Sequence, residues 1–473
     1  MKEHAPHGAT ARLAAPLLAA SCLAFLVLVV AAVVPGFVVA TQAQPALPGD
    51  ILWTRIYAGP QHLDDVVAGV AIGPDGSVYI AGTRDGGSLT DSSQIIRVAR
   101  YAANGDRLWQ KFYAAKANLS ESAAAIAVNR YGDVYVVGSR TDATGSKLLL
   151  LRYDKTGELR WARSQRGPGL GDGEGADVAV DGRGDCYVTG QATRDLASSD
   201  VLVACYTRAG ALRWTRYWTN PTVSGPDFGV SIAVTPGGTS VVCGDTRLNV
   251  SKHSWVTAEF NRSGRRLWAH MFGTRGNVDD RADQAVIAKG GAVYVSGTVV
   301  INGRRKAAVV RYGVKGALKW WHTYWGDKTS NDWTARVAAD SQGDAVLACT
   351  TIRTDLGYGW SVMKFSPTGN HVWLAELDNS GSQNEVLSAV ATDAEDNIYV
   401  AGSIGTTETA DAACERLNPA DGTRVWFTTY DDPSHGIDLA SALAVKSGAG
   451  VYMAGSASSE DGDADMLLAS FQP

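Results

Sequence analysis

The sequence predicts an all-β fold in which a unit of four antiparallel strands recurs eight times along the chain. Within residues 121–163, four short apolar runs alternate with turns rich in Gly, Asp and Asn, a pattern typical of a four-stranded meander. Eight tryptophans, each following a glycine-centred turn, recur at steps of 52 to 56 residues. A fixed period of this size with four strands per unit is the signature of a β-propeller, so we predict eight blades.

Three further columns of residues keep the same period as the tryptophans. The tryptophan column is Trp53, Trp109, Trp161, Trp214, Trp268, Trp320, Trp373 and Trp426. A small-residue column closes each VYVAG-like run, at Gly82, Gly138, Gly190, Gly244, Gly297, Cys349, Gly402 and Gly455. An acidic column precedes the innermost strand, at Asp65, Glu121, Glu174, Asp227, Asp280, Asp332, Glu385 and Asp438. The remaining column is mostly aromatic and ends the third run of each repeat.

The two ends of the repeat region predict how the ring closes. Each repeat reads as strands A, B, C and D, from the innermost to the outermost. The region begins in a D strand at 51–57 and ends in a C strand at 465–471. We therefore expect the first strand to complete the last blade, which would leave no exposed sheet edge at the junction.

Composition separates the N-terminus from the repeats. Residues 1–12 form a polar, basic n-region, 13–40 are almost wholly apolar, 41–50 read as a linker and 51–473 contain the repeats. The repeats hold 41 Lys and Arg against 46 Asp and Glu. This mildly acidic and dispersed charge argues against nucleic acid as a partner, because nucleic acid requires a basic surface.

The apolar segment 13–40 has two interpretations. Its 28 residues exceed both the ~20 that span a bilayer and the usual hydrophobic region of a signal peptide. It reads either as a retained N-terminal transmembrane helix or as a long signal peptide cleaved near Ala40 or Ala43. Both interpretations place the propeller outside the cytoplasm, anchored to the membrane or secreted.

Catalytic signatures are sparse in the sequence. The eight histidines form no HExxH or ligand-spaced cluster, and no GxSxG or phosphate-binding loop occurs. The glycine-rich stretch 167–175 joins two predicted strands, so it does not read as a dinucleotide loop. Five cysteines of the repeats show no CxxC spacing and read as buried small side chains. Antiparallel pairing places Cys186 opposite Tyr206 and Cys205 opposite Tyr187.

Loop lengths predict which face of the ring binds partners. The A–B and C–D turns are short and alike, whereas the B–C and D–A connections are longer and differ between repeats. In an up-and-down blade the B–C and D–A loops share one face, which we call the variable face; the A–B and C–D turns form the uniform face. Functional residues concentrate on variable loops held by a rigid scaffold, so we predict binding at the variable face.

Two sets of side chains are candidates at that face. The acidic column is expected to circle the channel mouth, either as structural acceptors of backbone N–H groups or as a site for a divalent cation such as Ca²⁺. One repeat carries unusual aromatics in its variable loops, namely Trp325, Trp333, Tyr358 and Trp360. These could form a stacking platform for a sugar or a peptide, with packing against the loop scaffold as the alternative. The eight column tryptophans read as structural groups that dock neighbouring blades.

The pattern G-D-V-Y-V-x-G followed by R-Y-D-x-x-G-x-L-x-W resembles the bacterial extracellular β-propeller repeats called SBBP, over essentially all of 51–473. Residues 154–161 are also similar to the tryptophan-docking repeats of quinoprotein and outer-membrane-assembly propellers, which have eight blades. A quinoprotein dehydrogenase would be expected, by that resemblance, to carry an adjacent cysteine pair and a longer chain.

These observations favour an exported, monomeric binding or scaffold propeller of the cell envelope without catalysis of its own. Its partner would be an envelope protein, a peptide or a polysaccharide, and no cofactor is indicated apart from Ca²⁺ at the acidic column. The alternative is an extracytoplasmic enzyme (a lyase, a glycosidase or a quinoprotein-like enzyme) that uses carboxylates of the channel face.

Overall fold

A computed structural model describes residues 46–59, 64–85, 93–114, 119–195, 198–249, 252–274, 279–324, 331–353, 357–377, 384–406, 408–459 and 462–473. The N-terminal segments 1–12 and 13–40, and Trp325, lie outside these ranges, as do residues 41–45 of the linker 41–50. Within the ranges, no helix has the length and apolar character needed to cross a bilayer.

The described residues form 32 strands in eight four-stranded antiparallel sheets, which confirms the predicted eight-bladed propeller. Blades 1 to 4 are β2–β5 (Asp65–Ile72, Val78–Asp85, Gln94–Tyr101, Arg107–Tyr113), β6–β9 (Ser120–Val128, Val134–Asp142, Gly145–Tyr153, Leu159–Gln165), β10–β13 (Gly173–Val180, Cys186–Asp195, Ser198–Tyr206, Leu212–Trp218) and β14–β17 (Asp227–Val234, Ser240–Asn249, Lys252–Phe260, Arg266–Phe272). Blades 5 to 7 are β18–β21 (Arg281–Ile287, Val293–Ile301, Arg304–Tyr312, Leu318–Thr323), β22–β25 (Asn331–Ala339, Ala345–Arg353, Gly357–Phe365, His371–Leu377) and β26–β29 (Asn384–Thr392, Ile398–Gly405, Ala410–Leu417, Arg424–Tyr430). Blade 8 consists of β30–β32 (Leu439–Lys446, Gly450–Ser458, Ala464–Phe471) and β1 (Ile51–Tyr57).

The ring closes as the chain ends predicted. Strand β1 pairs antiparallel with β32, so the first strand becomes the outer strand of the last blade. Backbone hydrogen bonds from Gly49 N to Gln472 O and from Gln472 N to Asp50 O, both 2.9 Å, extend this pairing past the strand ends. The A strands contact one another in sequence around the ring, including β30 with β2, and thereby form its inner wall.

The core lies between the blades. Buried Val, Ile, Leu and Tyr side chains of the B and C strands of one blade pack against the next blade. All five described cysteines are buried with free thiols. The predicted pairing of Cys186 with Tyr206 and of Cys205 with Tyr187 is confirmed. These residues therefore act as apolar core groups.

Each column tryptophan packs on a glycine of the next blade. In blades 1 to 7 this glycine lies in the C–D turn, and its φ is between 74° and 91°, a conformation that favours glycine. A Cβ atom at any of these glycines would lie within 3.0 Å of the indole, so a side chain there would clash. At the junction, blade 8 has no C–D turn, and Gly49 (φ 89°) takes its place beneath Trp426.

The indole N–H groups add a directed interaction between blades. In six blades Nε1 donates to a backbone carbonyl of the next C–D turn, for example Trp214 to Arg262 O at 3.0 Å. Trp268 instead donates to Glu259 Oε2 in its own blade, at 2.6 Å. Trp426 Nε1 is buried and has no hydrogen-bond partner among the described residues, because the chain ends replace the turn that would supply one.

A second tie between blades lies near the inner wall. Thr83 Oγ1 accepts the N–H of Ala123, in the A strand of the next blade, at 2.9 Å. Thr350 Oγ1 accepts the N–H of Leu387 in the same way at 2.8 Å. In blade 4 the same position is Asp245, whose Oδ1 accepts the N–H of Ala282 at 2.8 Å. Burial raises the pKa of Asp245 to about 7, and the nearby carboxylates of Asp283 and Asp279 add to this increase. The N–H of Ala282 and the guanidinium of Arg281 act in the opposite direction.

The tryptophan geometry predicts unequal costs for the same substitution. Trp214 and Trp426 are equally buried, but only Trp214 makes an indole hydrogen bond. We expect Trp214→Phe to lower the free energy of unfolding by about 1 kcal/mol more than Trp426→Phe, because it also removes that bond. Urea unfolding followed by circular dichroism measures both. Equal losses would contradict a role for the indole N–H in joining blades.

The position of Asp245 predicts a pH dependence of stability. The pKa of Asp245 is near 7 in the folded protein and about 3.9 in the unfolded chain. Between pH 4 and pH 7 the folded protein therefore holds a proton on Asp245 that the unfolded chain has lost. The free energy of unfolding must then fall as the pH rises from about 4 to 7. Asp245→Thr introduces the residue found at the same position in blades 1 and 6. We expect it to raise stability at pH 8 by roughly 1–3 kcal/mol and to reduce this slope.

The control for this experiment is Asp421→Asn. The N–H and hydroxyl of Thr423 lower the pKa of Asp421, so above about pH 5 that carboxylate is ionised in both the folded and the unfolded chain, and its removal leaves the slope there unchanged. Denaturant unfolding between pH 4 and pH 8 tests both variants. A slope unaltered by Asp245→Thr would exclude Asp245 as one of its sources.

Candidate functional site at the channel mouth

The acidic column is buried in the variable face. Except for Glu174, its members have at most 1% of their surface exposed. Asp227 accepts the N–H of Asn220 at 2.8 Å and the hydroxyl of Thr246 at 2.7 Å. Asp280 accepts the N–H groups of Thr274 at 2.6 Å and of Val300 at 2.7 Å. These carboxylates therefore join the D–A loop of a blade to its own B strand.

Other members of the column make related contacts. Asp438 accepts the N–H groups of Asp432 and Ser458, and Glu121 forms an ion pair with Arg140 at 3.1 Å. Asp332 accepts the N–H of Ala307 in the preceding blade at 3.0 Å. Glu385 occupies the same buried position in blade 7.

Burial dominates the ionisation of this column. It raises the pKa of Asp65 to about 7, with the backbone N–H of Gly59 opposing the change, and that of Asp438 to about 6. The pKa values of Asp227 and Asp280 are raised for the same reason. Among the residues that the structure describes, no three His, Cys, Asp or Glu side chains converge as metal ligands would.

Glu174 does not share the position of the other seven acidic residues. It pairs with Gln191, one residue after the column glycine, whereas Asp65 pairs with Arg84, two residues after it. Since successive side chains of a strand point to opposite faces, this shift of one residue reverses the direction of the carboxylate. Glu174 is accordingly partly exposed and accepts a hydrogen bond from Gln191 Nε2 at 2.5 Å. The sequence carries the signal: the acid precedes the small-residue column by 17 positions in seven repeats and by 16 in the third.

The residue that follows the acidic position forms the rim of the channel mouth. In each A strand this rim residue pairs with the B-strand residue directly after the small-residue column. From blade 1 to blade 8 the rim residues are Val66, Ser122, Glu174, Phe228, Arg281, Trp333, Val386 and Leu439.

The rim is divided into an apolar part and a mixed part. Trp333, Val386, Leu439 and Val66 belong to the consecutive blades 6, 7, 8 and 1, and are exposed by 51%, 43%, 40% and 59%. We call these four residues the apolar arc. Blades 2 to 5 carry Ser122, Glu174, Phe228 and Arg281 at the same position, so this side includes both an acidic and a basic group.

A pocket of about 670 Å³ lies along the apolar arc in blades 6 to 8. The residues that line it are Trp333, Thr334, Thr350, Tyr358, Val386, Ser388, Ser403, Thr406, Ala410, Ile437, Leu439, Ala440 and Ser441. The described lining residues combine apolar side chains with hydroxyl groups, and none of them carries a charge. The pocket therefore suits an apolar group whose neighbouring polar atoms can reach hydroxyls.

Thr334 marks this pocket as a place of backbone strain. Its φ is 46°, in the left-handed region that β-branched residues avoid. It lies at the irregularity in the pairing of β22 with β23, and its hydroxyl donates to Leu387 O of the next blade at 3.1 Å. Strain of this kind persists where surrounding structure enforces it, and it is concentrated at functional sites.

The predicted aromatic platform is split by the structure. Trp333 and Tyr358 both line the pocket. Trp360 is fully buried in the core between blades 6 and 7, where a Cβ at Gly402 would lie 2.6 Å from its ring. The sequence reasoning missed the contributions of Val386, Ile437 and Leu439. Aligning the repeats on the small-residue column would have revealed the rim position to which Val386 and Leu439 belong.

No protein-family model matches the chain, and no relative was found among curated protein sequences. The SBBP resemblance therefore stays a prediction. Solved structures do resemble the fold. Sqt1 from Chaetomium thermophilum, bound to the N-terminus of ribosomal protein L10, is 10% identical with a TM-score of 0.53, over 88% of this chain and 98% of Sqt1.

Two other structures have comparable similarity. Quinohemoprotein alcohol dehydrogenase from Comamonas testosteroni is 12% identical with a TM-score of 0.51, over 89% of this chain and 76% of the dehydrogenase. BamB from Moraxella catarrhalis is 13% identical with a TM-score of 0.49, over 89% of this chain and all of BamB. A protein solved with a bound partner segment, Sqt1, and an enzyme, the alcohol dehydrogenase, thus both occur among the neighbours. At these identities the comparisons establish that the chain is a β-propeller and leave its activity open.

Proposed function

We propose that this protein is an exported binding propeller of the cell envelope that holds a protein partner at the mouth of its channel, on the variable face. The observation that carries this proposal is the pocket in blades 6 to 8, where exposed apolar rim residues border hydroxyl side chains. An exposed apolar patch with a polar surround is typical of protein interaction sites. The apolar segment 13–40 behind a basic N-terminus supports export.

A peptide fits the lining better than a polysaccharide does. Sugar sites combine aromatic stacking surfaces with many polar groups, whereas the apolar arc has one aromatic and three aliphatic side chains. The hydroxyls of Ser388, Ser403 and Ser441 lie within reach of the backbone groups of a peptide in the pocket. Sqt1, a propeller of similar fold, binds the N-terminal segment of its partner, which offers an analogy for this mode.

The geometry supports binding rather than acid–base catalysis. A lyase or glycosidase would require two carboxylates facing the substrate. The column carboxylates with the most strongly raised pKa values, Asp65 and Asp438, are fully buried, and neither lines the described pocket. The proposed function requires neither a cofactor nor a metal ion.

The proposal is tested with peptides selected from a random display library on the full chain. We expect Trp333→Ala and Leu439→Ser each to weaken binding of the selected peptides about tenfold, because each removes apolar surface worth 1–2 kcal/mol on burial. Fluorescence anisotropy with labelled peptides measures the dissociation constants. Both side chains are about half exposed, so the fold does not depend on them.

Val314→Ser is the matched control. Val314 is an exposed apolar residue in a C–D turn of the uniform face, and its replacement should leave binding unchanged. The proposal fails if the selected peptides bind the pocket variants and the control variant equally well, or if no peptide is selected.

A further inference from the structure

The apolar arc is bordered by a group of arginines at one of its ends. Arg281 is the rim residue of blade 5, directly beside Trp333 in the ring order. The guanidinium of Arg305 lies over the Trp333 ring, 5.8 Å from its centre. Arg336 Nε donates to the backbone oxygen of Ser388, which lines the pocket. Arg281 and Arg305 of blade 5 therefore lie at one end of the pocket, and Arg336 lies where blades 6 and 7 meet.

Arg281 and Arg305 share the partly buried carboxylate of Asp279. Asp279 Oδ2 accepts from Arg281 Nε at 3.1 Å and from Arg305 Nη2 at 3.2 Å, and Oδ1 contacts His253 Nδ1 at 2.7 Å. The two other nearby carboxylates, Asp245 and Asp283, are held by backbone N–H groups of the next A strands. Asp245 Oδ2 also lies 3.9 Å from Arg281 Nη1, but only 9% of the Asp245 side chain is exposed, so it lies behind Arg281 rather than at the surface. Arg281 is the most exposed charged group of this cluster, with 47% of its side chain accessible against 32% for Asp279 and 28% for Arg305, so the blade 5 end of the arc presents a guanidinium to a ligand.

The opposite end of the pocket has the reverse charge. Ala410 and Ile437, which line it, form a β-bridge with each other. Beside them lie Asp411 at the start of the C strand of blade 7, and Asp431 and Asp432 in the loop that leads to blade 8. Burial and the neighbouring Asp431 raise the pKa of Asp411, and His435 opposes this change. His435 Nδ1 lies 2.7 Å from a carboxylate oxygen of Asp431. An acidic group on a ligand would therefore be repelled at this end and attracted at the other.

We propose that the partner segment is an extended peptide that lays apolar side chains along Trp333, Val386 and Leu439 and places an acidic residue against Arg281 and Arg305. This inference rests on the proposed function and specifies the chemistry of the partner. The apolar side chains supply most of the buried surface, and the charge fixes the direction in which the peptide lies. Charge complementarity of this kind selects among partners with similar apolar content.

The test is a charge swap read out by selection. A random peptide display library is selected in parallel on the full chain and on its Arg281→Glu variant. Peptides from the unaltered chain should carry Asp or Glu at one end of an apolar stretch. Those from Arg281→Glu should have lost this preference or should carry Lys or Arg instead. Arg281 is about half exposed, so its replacement does not disturb the core.

Binding measurements complete the test. Arg281→Glu is expected to weaken an acidic peptide selected on the unaltered chain about tenfold or more, and to leave unchanged a neutral version with Gln at the acidic position. Arg266→Glu, in an outer strand of blade 4, is the control and should affect neither peptide. Raising the salt concentration should weaken only the acidic peptide, since it screens an exposed charge pair.

The outcomes separate the two proposals. If the selected peptides require Leu439 but show no acidic preference on either protein, the inference about charge is overturned and the binding function stands. If peptides are selected that do not depend on Leu439 or Trp333, the proposed binding site is itself wrong. An acidic preference that survives Arg281→Glu and high salt would also overturn the assignment to this arginine group.

Discussion

The contact between each outer-strand tryptophan and a left-handed glycine of the next blade is the interaction on which the ring depends. It recurs at all eight blade junctions and requires a glycine because a Cβ would occupy the space of the indole. At the closing junction no C–D turn exists, yet Gly49 adopts the same conformation under Trp426. The tryptophan–glycine packing is therefore kept at the junction where the first and last strands meet, although the indole hydrogen bond is lost there. This regularity on the uniform face allows the loops of the variable face to differ.

The architecture could be predicted from the sequence because it is encoded by local periodicity: strand alternation, turn residues and four columns of one period. The closure by β1 followed from where the repeats begin and end. The site was harder to predict because it depends on relations between columns. The position of Glu174 can be predicted only from the number of residues that separate it from Gly190. Trp360 is buried because its side chain points into the space between two blades, whereas Trp333 is exposed at the rim. The apolar arc becomes visible only when the first and last repeats are recognised as neighbours.

The channel mouth combines two functions in adjacent residues of each A strand. In seven blades the acidic residue is buried, and in blades 4, 5 and 8 it accepts N–H groups of the D–A loop, whereas the rim residue that follows it differs between blades. Behind the seven buried carboxylates, the eight rim residues differ: they are apolar in four consecutive blades and mixed in the other four. Backbone strain at Thr334 and the arginines beside Trp333 are concentrated along the same arc. This arrangement is the one expected of a binding surface on a rigid scaffold.

Photo-cross-linking locates a bound peptide on the propeller. A selected peptide carrying a benzophenone in place of one apolar side chain would be bound to the full chain, irradiated and mapped by mass spectrometry. We expect cross-links to the rim and lining residues of blades 6 to 8, such as Trp333, Val386 and Leu439. Cross-links to the C–D turns of the uniform face or to exposed outer-strand residues such as Leu212 and Leu267 would contradict the proposed binding site.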